Sequence, residues 1–170
     1  DDYVGTIWDM DWIPDTRDLF VSSQEGVQGI VGSLNTVTGK LKSMRSMGRK
    51  HSWEMSGSVS ADGKWVAFLD ASPTSPNDVW VMTIEGTKVK RLTEMNPAVS
   101  SLQFGAVEKI RWSASDGLPI EGVLVKPTNY VAGERYPLVV EIHGGPQWTW
   151  WYGWQCSWHE WAQLLANNGF

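Results

Sequence analysis

Four consecutive residues, His143, Gly144, Gly145 and Pro146, have the types and the order that suit the binding of an oxyanion. An enzyme that forms a tetrahedral intermediate must direct backbone N–H groups at the developing negative charge, and glycine lets the main chain approach because it has no Cβ. Two adjacent glycines at the end of a strand therefore predict part of an oxyanion hole. The same four residues would equally form an ordinary turn that ends a strand.

Several elements must position this loop. Residues 136–143 form an apolar run that predicts a buried strand ending at His143. Upstream, residues 107–112 and 120–126 flank a turn at Ser115-Asp116-Gly117 and predict a β-hairpin.

A Trp-rich loop follows Pro146, and a helix is predicted from about Ser157 to Asn167. Ser157 is the expected N-cap, and Glu160 completes a capping box. Asn167, Asn168 and Gly169 are typical of a helix C-terminus. The apolar face of this helix is expected to contain Trp158, Trp161, Leu164 and Leu165.

The first hundred residues contain a weak repeat with a period of 47 to 49 residues. Residues 14–21 correspond to 61–68, residues 29–34 to 78–83, and a turn at Gly39 to one at Gly86. Each unit predicts four short strands, which is the composition of a β-propeller blade. A β-sandwich with similar hairpins is the alternative.

The composition excludes some function classes. A net charge of −5 predicts no nucleic-acid partner, and no stretch is apolar enough to predict a membrane span. Cys156 is the single cysteine, so neither an internal disulfide nor a thiolate metal cluster can form, and an inert, partly buried thiol is expected. We expect no cofactor and no metal. The acid pairs are interpreted as turn and strand-edge residues: Asp9 with Asp11, and Asp15 with Asp18.

An ordered set of residues resembles the start of the catalytic domain in the prolyl oligopeptidase family of serine peptidases, most nearly its acylaminoacyl-peptidase branch. The set comprises Asp116, Gly117, Leu118, Pro119, Ile120, Glu121 and Gly122; Lys126 and Pro127; Tyr136, Pro137 and Leu138; and Glu141, Ile142, His143, Gly144, Gly145 and Pro146. Upstream, Arg91, Leu92 and Thr93 with Asn96 and Pro97 resemble the end of that family's propeller.

The resemblance implies β-propeller blades followed by the opening strands and first helix of an α/β-hydrolase domain, both incomplete. We expect residues 1–105 to be C-terminal blades and residues 106–170 the N-terminal part of the catalytic domain. The 170 residues begin without Met and are interpreted as a fragment. They predict neither oligomeric state nor compartment, although a cytoplasmic location is slightly favoured.

The implied activity is hydrolysis of peptide or acyl-peptide bonds by a Ser-His-Asp triad. Gly145 matches the glycine whose N–H is the oxyanion donor, and Gly144 its turn-forming neighbour. The family's dipeptidyl-peptidase branch has Tyr at the position of His143, so histidine disfavours that specificity. His143 is interpreted as a residue that orients the loop, not as the catalytic base. Trp148 is the Trp expected to contact substrate, although packing is the commoner role of such rings.

The chain departs from the family pattern because it contains no Gly-x-Ser-x-Gly elbow, and the family's triad lies downstream of it. Ser157, His159 and Glu160 are too close in sequence to replace that triad, which is assembled from separate loops. An esterase on the same fold is one alternative function. A propeller binding module with a degenerate hydrolase portion is another.

Overall fold

A computed structural model describes residues 5–47, 57–145, 148–156 and 160–170. The described fold consists of three antiparallel sheets and one short α-helix, with a 3₁₀ helix at Pro97–Ser101. No helix of these ranges is long and apolar enough to cross a membrane.

The first two sheets have four strands each and follow one another along the chain. In each sheet every strand pairs with the next, so both are up-and-down meanders. We call them the first and the second blade. The first contains β1 (Thr6–Trp12), β2 (Asp18–Glu25), β3 (Gln28–Asn35) and β4 (Leu41–Met47), and the second contains β5 (Gly57–Val59), β6 (Trp65–Ser72), β7 (Ser75–Thr83) and β8 (Val89–Arg91).

Matching turns confirm the repeat. The Asn35 N–H donates to the carbonyl of Lys40 at 3.0 Å, and the Thr83 N–H donates to that of Lys88 at 3.0 Å. Gly39 (φ 68°) and Gly86 (φ 76°) adopt a left-handed conformation at these turns, which glycine accepts without steric cost. Four strands per unit, predicted from the repeat, are therefore present in both copies.

The two blades share one hydrophobic core. Phe20 and Val31 of the first blade pack with Val66 and Met82 of the second, and all four side chains are buried. A Cβ on Gly57 would lie 2.1 Å from the Phe20 ring, so the start of β5 needs glycine for the blades to close.

Charged side chains also join the blades. The carboxylates of Asp9 and Asp11 on β1 accept hydrogen bonds from the N–H groups of Gly57 (3.3 Å) and Val59 (3.1 Å) on β5. Arg45 on β4 donates from Nη2 to Asp70 on β6 at 2.9 Å. The prediction that Asp9 and Asp11 are strand residues is confirmed, and their contact with the next blade is an additional finding.

The end of the second blade is organised around Asp78, whose side chain is 2% exposed. Its carboxylate accepts hydrogen bonds from Arg91, from Thr93 Oγ1 at 2.7 Å and from the Met95 N–H at 3.0 Å. Burial raises the pKa of Asp78, but these hydrogen bonds and the Arg91 charge outweigh it, so the pKa is lower than usual. The Arg91-Leu92-Thr93 motif thus fixes the strand end around one buried charge.

The predicted hairpin is confirmed: β9 (Val107–Ser113) pairs antiparallel with β10 (Pro119–Val125). The Gly117 N–H donates to the carbonyl of Ala114 at 2.9 Å and closes the turn. Between the second blade and the hairpin, residues 96–105 contain the 3₁₀ helix.

The predicted strand at 136–143 is wrong for this structure. The segment has no strand assignment, and Leu138, Val140 and Ile142 are exposed. A strand needs a neighbour to pair its backbone groups, and none of the described strands pairs with this segment.

The helix prediction is correct at its end and wrong at its start. α1 covers Ala162–Asn167, with Trp161 at the N-cap position and no side-chain capping hydrogen bond. Ser157, the predicted N-cap, and Trp158 lie outside the described residues. At the C-terminus, Gly169 has φ 83°, and the Phe170 N–H donates to the Leu165 carbonyl at 3.1 Å, which is the predicted glycine C-cap.

The predicted apolar face of α1 is wrong for two of its members, whereas a third, Leu165, is half-buried. Trp161 and Leu164 are exposed, whereas Gln163 and Ala166 are buried. The Gln163 side-chain amide is the reason: it accepts from the Gly105 N–H at 2.7 Å and donates to the Gly105 carbonyl at 3.1 Å. A buried backbone segment needs such partners, so this pairing sets the face of the helix.

Candidate active-site loop

The candidate loop begins where residues 136–143 end. Gly144 and Gly145 are exposed. Gly145 has φ 139°, a conformation that other residues rarely adopt, whereas a Cβ on Gly144 would meet no atom within 4 Å. Position 145 therefore requires glycine for its backbone conformation, whereas position 144 has space for a side chain. Pro146 and Gln147 lie outside the described residues.

His143 is bonded to this loop. Its Nδ1 lies 2.8 Å from the carbonyl oxygen of Gly144. Because a carbonyl oxygen can only accept, Nδ1 must carry the hydrogen in this geometry. The contact is compatible with a residue that orients the loop, and that role stays a prediction.

The Trp-rich loop, residues 148–156, follows. Trp148 is half-buried and stacks on Trp150 with ring centroids 6.3 Å apart. Trp150 Nε1 donates to the carbonyl of Glu141 at 3.1 Å, which links this loop to the segment before His143. The predicted substrate contact of Trp148 stays a prediction, and its visible role is packing.

A cavity of about 580 Å³ lies between β10, residues 138–143, the Trp-rich loop and α1. Its lining includes His143 and Trp150 but not Gly144, Gly145 or Trp148. The cavity is thus on the hairpin side of the loop, and the two glycines do not line it.

Two carboxyl groups lie in the cavity wall, those of Glu141 and Glu160, and the charge of Glu160 affects the pKa values of nearby groups. Burial raises the pKa of Glu141, and the charge of Glu160 raises it further. Burial, together with Glu160, raises the pKa of the Cys156 thiol to about 11. Cys156 is therefore a neutral thiol near neutral pH, in agreement with the predicted inert role.

No group of three His, Cys, Asp or Glu side chains that could hold a metal ion occurs within residues 5–47, 57–145, 148–156 and 160–170. Of the remaining acid candidates, Asp15 is a turn residue with φ 59°, and Asp18 accepts a hydrogen bond from Asn35 at 2.6 Å. Ser157 and His159 lie outside the described residues.

Sequence reasoning missed two contacts that hold this region in place. One is the Gln163–Gly105 pair, for which an amide within an apolar helix pattern was the only available signal. The other is the hydrogen bond from the Val27 N–H to Glu121 Oε2 at 3.1 Å, which joins the first blade to the hairpin. An apolar residue in a tight turn, Val27, was the signal there.

The comparisons with known proteins agree with this architecture. No protein-family model matches the chain. Dipeptidyl-peptidase 5 of Arthroderma otae is 26% identical over 185 residues, which cover 98% of this chain and 23% of that protein. The resemblance to the prolyl oligopeptidase family is confirmed. The chain spans about a quarter of the length of the curated relatives that match along most of it.

Solved structures of acylaminoacyl peptidases share the fold. The acylaminoacyl peptidase of Pyrococcus horikoshii has a TM-score of 0.68 at 18% identity, covering 96% of this chain and 24% of that one. An acylaminoacyl peptidase in complex with Z-Gly-Gly-Phe-chloromethyl ketone has a TM-score of 0.70 at 18% identity, covering 99% of this chain and 24% of that one. The sheets therefore match the propeller-like region of these peptidases.

Proposed function

We propose that these residues belong to a serine peptidase that hydrolyses peptide or acyl-peptide bonds, and that they join its propeller to its α/β-hydrolase domain. The boundary is placed between residues 105 and 106. The nucleophile, acid and base are supplied from outside these residues. The support is the peptidase relatives together with the ordered motifs around the loop.

The observation that carries the catalytic assignment is the conformation of Gly145. Its φ of 139° is accessible to glycine and rarely to other residues. Gly145 also immediately follows the contact between His143 and the Gly144 carbonyl. In the proposed reaction a serine attacks the substrate carbonyl, and the Gly145 N–H donates to the oxyanion that forms. A second donor comes from the residue after the nucleophile.

We infer an acylaminoacyl-type specificity in preference to a dipeptidyl one, because histidine stands at position 143. Trp148 would contribute a wall of the substrate site. An esterase would use the same loop and differ in its pocket, and a degenerate hydrolase would lack the serine elbow. Assays of the longer protein against an acyl-peptide anilide, a dipeptidyl anilide and a simple ester separate these functions.

The test of the oxyanion role is Gly145→Pro in the longer enzyme. Proline has no N–H, and loss of one oxyanion donor costs about 100- to 1,000-fold in kcat. Because proline also fixes φ at about −65° and so excludes the φ of 139°, Gly145→Ala, which disfavours the same φ but keeps the N–H, is compared with it and should lose less kcat. KM should change little, because the contact strengthens only as charge develops. Gly144→Ala is the matched control, since a Cβ there meets open space, and it should keep nearly full activity.

These variants must first show the circular dichroism and melting temperature of the parent. A folded Gly145→Pro enzyme with the parental kcat would contradict the proposal and leave the loop as a simple turn. The 170-residue chain itself should show no turnover above a heat-inactivated sample.

A further inference from the structure

The turns between the second and third strands differ between the two blades. Both are two-residue turns, Gly26–Val27 in the first blade and Pro73–Thr74 in the second. Val27 is 2% exposed, whereas Thr74 is exposed. An apolar side chain at the tip of a turn is buried only if another part of the molecule covers it, and here the hairpin and the Trp-rich loop do so.

Both backbone polar groups of Val27 are bonded to residues far along the chain. Its N–H donates to Glu121 Oε2 on β10 at 3.1 Å. Its carbonyl accepts from the Tyr152 N–H in the Trp-rich loop at 2.8 Å. The turn thus contacts two separate elements of the region after residue 105.

Gly26 makes room for the first of these contacts. A Cβ on Gly26 would lie 1.8 Å from Glu121 Oε2, and its φ of +55° is itself left-handed. The Gln24 side chain donates to the Gly26 carbonyl at 2.8 Å and so stabilises the turn from within the first blade. Glycine is therefore needed here for the approach of the carboxylate as well as for the turn.

Glu121 is held in this position by Arg111, which lies on the neighbouring strand of the same hairpin. Arg111 Nε donates to Glu121 Oε1 at 2.6 Å. Burial raises the pKa of Glu121, but the Val27 N–H and Arg111 outweigh it, so the pKa is below its usual value and the carboxylate stays charged. On the same hairpin, Lys109 Nζ lies 5.0 Å from the centroid of the Tyr152 ring.

We propose that the Gly26–Val27 turn is the docking point at which the first blade fixes the hairpin and the Trp-rich loop, with Glu121 as the latch. When the latch is closed, Tyr152 is held on the Val27 carbonyl. Trp150, two residues earlier, then keeps its bond to the Glu141 carbonyl and so restrains the segment that leads to Gly145. The device depends on contacts alone, not on the proposed hydrolytic activity.

The test is amide hydrogen exchange in the 170-residue chain, resolved to single residues. Glu121→Ala should accelerate exchange of the Val27 amide by about 10- to 100-fold, the factor that corresponds to losing a hydrogen bond to a charged acceptor. It should also accelerate the Tyr152 amide, which donates to Val27 and not to Glu121. Strand amides of β2 and β3 should keep the parental rates.

Glu108→Ala is the matched control. Glu108 lies on β9 of the same hairpin and pairs with Lys126 at 2.5 Å, without a role at the blade. It should leave Val27 and Tyr152 unchanged. Glu121→Gln keeps an acceptor oxygen and should give a smaller acceleration at both amides.

Gly26→Ala disturbs the same contact from the turn, because the added Cβ would clash with Glu121 Oε2. It should accelerate exchange of the same two amides. Acceleration at Val27 alone would overturn the proposal, because Glu121 would then only cap one N–H. Uniform acceleration over both blades in Glu121→Ala would also overturn it, because Glu121 would then support the whole fold.

Discussion

The two blades and residues 136–143, a segment of the region after residue 105, use their apolar residues in opposite ways. In the blades, Phe20 is 1% exposed and Met82 is fully buried. In the later region, Ile142 is 85% exposed and Val140 is exposed as well. The two regions have similarly apolar strand sequences, so hydrophobicity alone does not explain the difference.

The difference lies in where each strand finds its partner. A meander pairs each strand with its neighbour in sequence, so the blades satisfy their backbone groups locally. A parallel strand needs partners separated from it by a crossover of a dozen or more residues. Residues 136–143 have the composition of such a strand, and none of the described strands pairs with them. Local pairing therefore builds a core within this chain, whereas non-local pairing does not.

The largest expected effect is on the free energy of unfolding. Phe20→Ala removes a ring from the shared core of the blades and should cost about 3–5 kcal/mol. Ile142→Ala, the matched apolar truncation in the exposed segment, should stay within about 0.5 kcal/mol of the parent. Guanidinium unfolding of both variants, followed by circular dichroism, makes the comparison. Equal losses would mean that residues 136–143 are packed in solution, and the contrast between the regions would fail.

A smaller effect is expected from the charge at the end of the second blade. Asp78→Asn keeps acceptors for Thr93 and Met95 but loses the ion pair with Arg91, which should cost about 1.5–3 kcal/mol at pH 7. Because the pKa of Asp78 is lowered by folding, its contribution is complete above its unfolded pKa of about 3.9 and is lost as the pH falls through its folded value.

The parent should therefore lose stability below about pH 4, and Asp78→Asn should lose less over that range. Thermal melts between pH 2 and pH 7 measure this difference. Identical pH profiles would show that Asp78 is not held by its partners. Asp116→Asn, at the exposed hairpin turn, is the control and should keep the parental profile.

The smallest effect concerns reactivity and not stability. With a pKa of about 11, Cys156 should have roughly 200-fold less thiolate at pH 8 than an ordinary cysteine, whose pKa is about 8.5. Alkylation by iodoacetamide should be slow in the folded chain, fast in guanidinium, and should rise steadily up to about pH 11. Equal rates in the folded and unfolded chain would mean that this part of the second region is open to solvent.

The sequence predicted the blades well because their determinants are local. Gly39 and Gly86 in the blades lie at turns with positive φ, where these glycines had predicted turns, and Gly117 does the same in the β9–β10 hairpin. The joint between the blades was not predicted, because Asp9 and Asp11 have the composition of solvent-exposed strand residues. Only the three-dimensional arrangement places them opposite the N–H groups of β5.

The candidate loop was predicted from residue types, and its glycine requirement is visible at Gly145. The elements around it were predicted less well. Helix periodicity suggested an apolar face through Trp161 and Leu164, but pairing of Gln163 with Gly105, 58 positions away, decided which face is buried. A contact at that distance leaves no periodic trace in a single sequence.

The carboxylates of Asp9 and Asp11 have a further consequence for the behaviour of the chain at high concentration. β5 is the outer strand of the second blade, and an outer strand with free N–H groups can recruit a strand of another molecule. Two acceptors at alternate positions of β1 occupy the N–H groups of Gly57 and Val59. They also place negative charge along that edge, so an approaching strand would meet neither free donors nor a neutral surface. The same contact that joins the blades thereby protects the β5 edge of the second blade from intermolecular β-pairing.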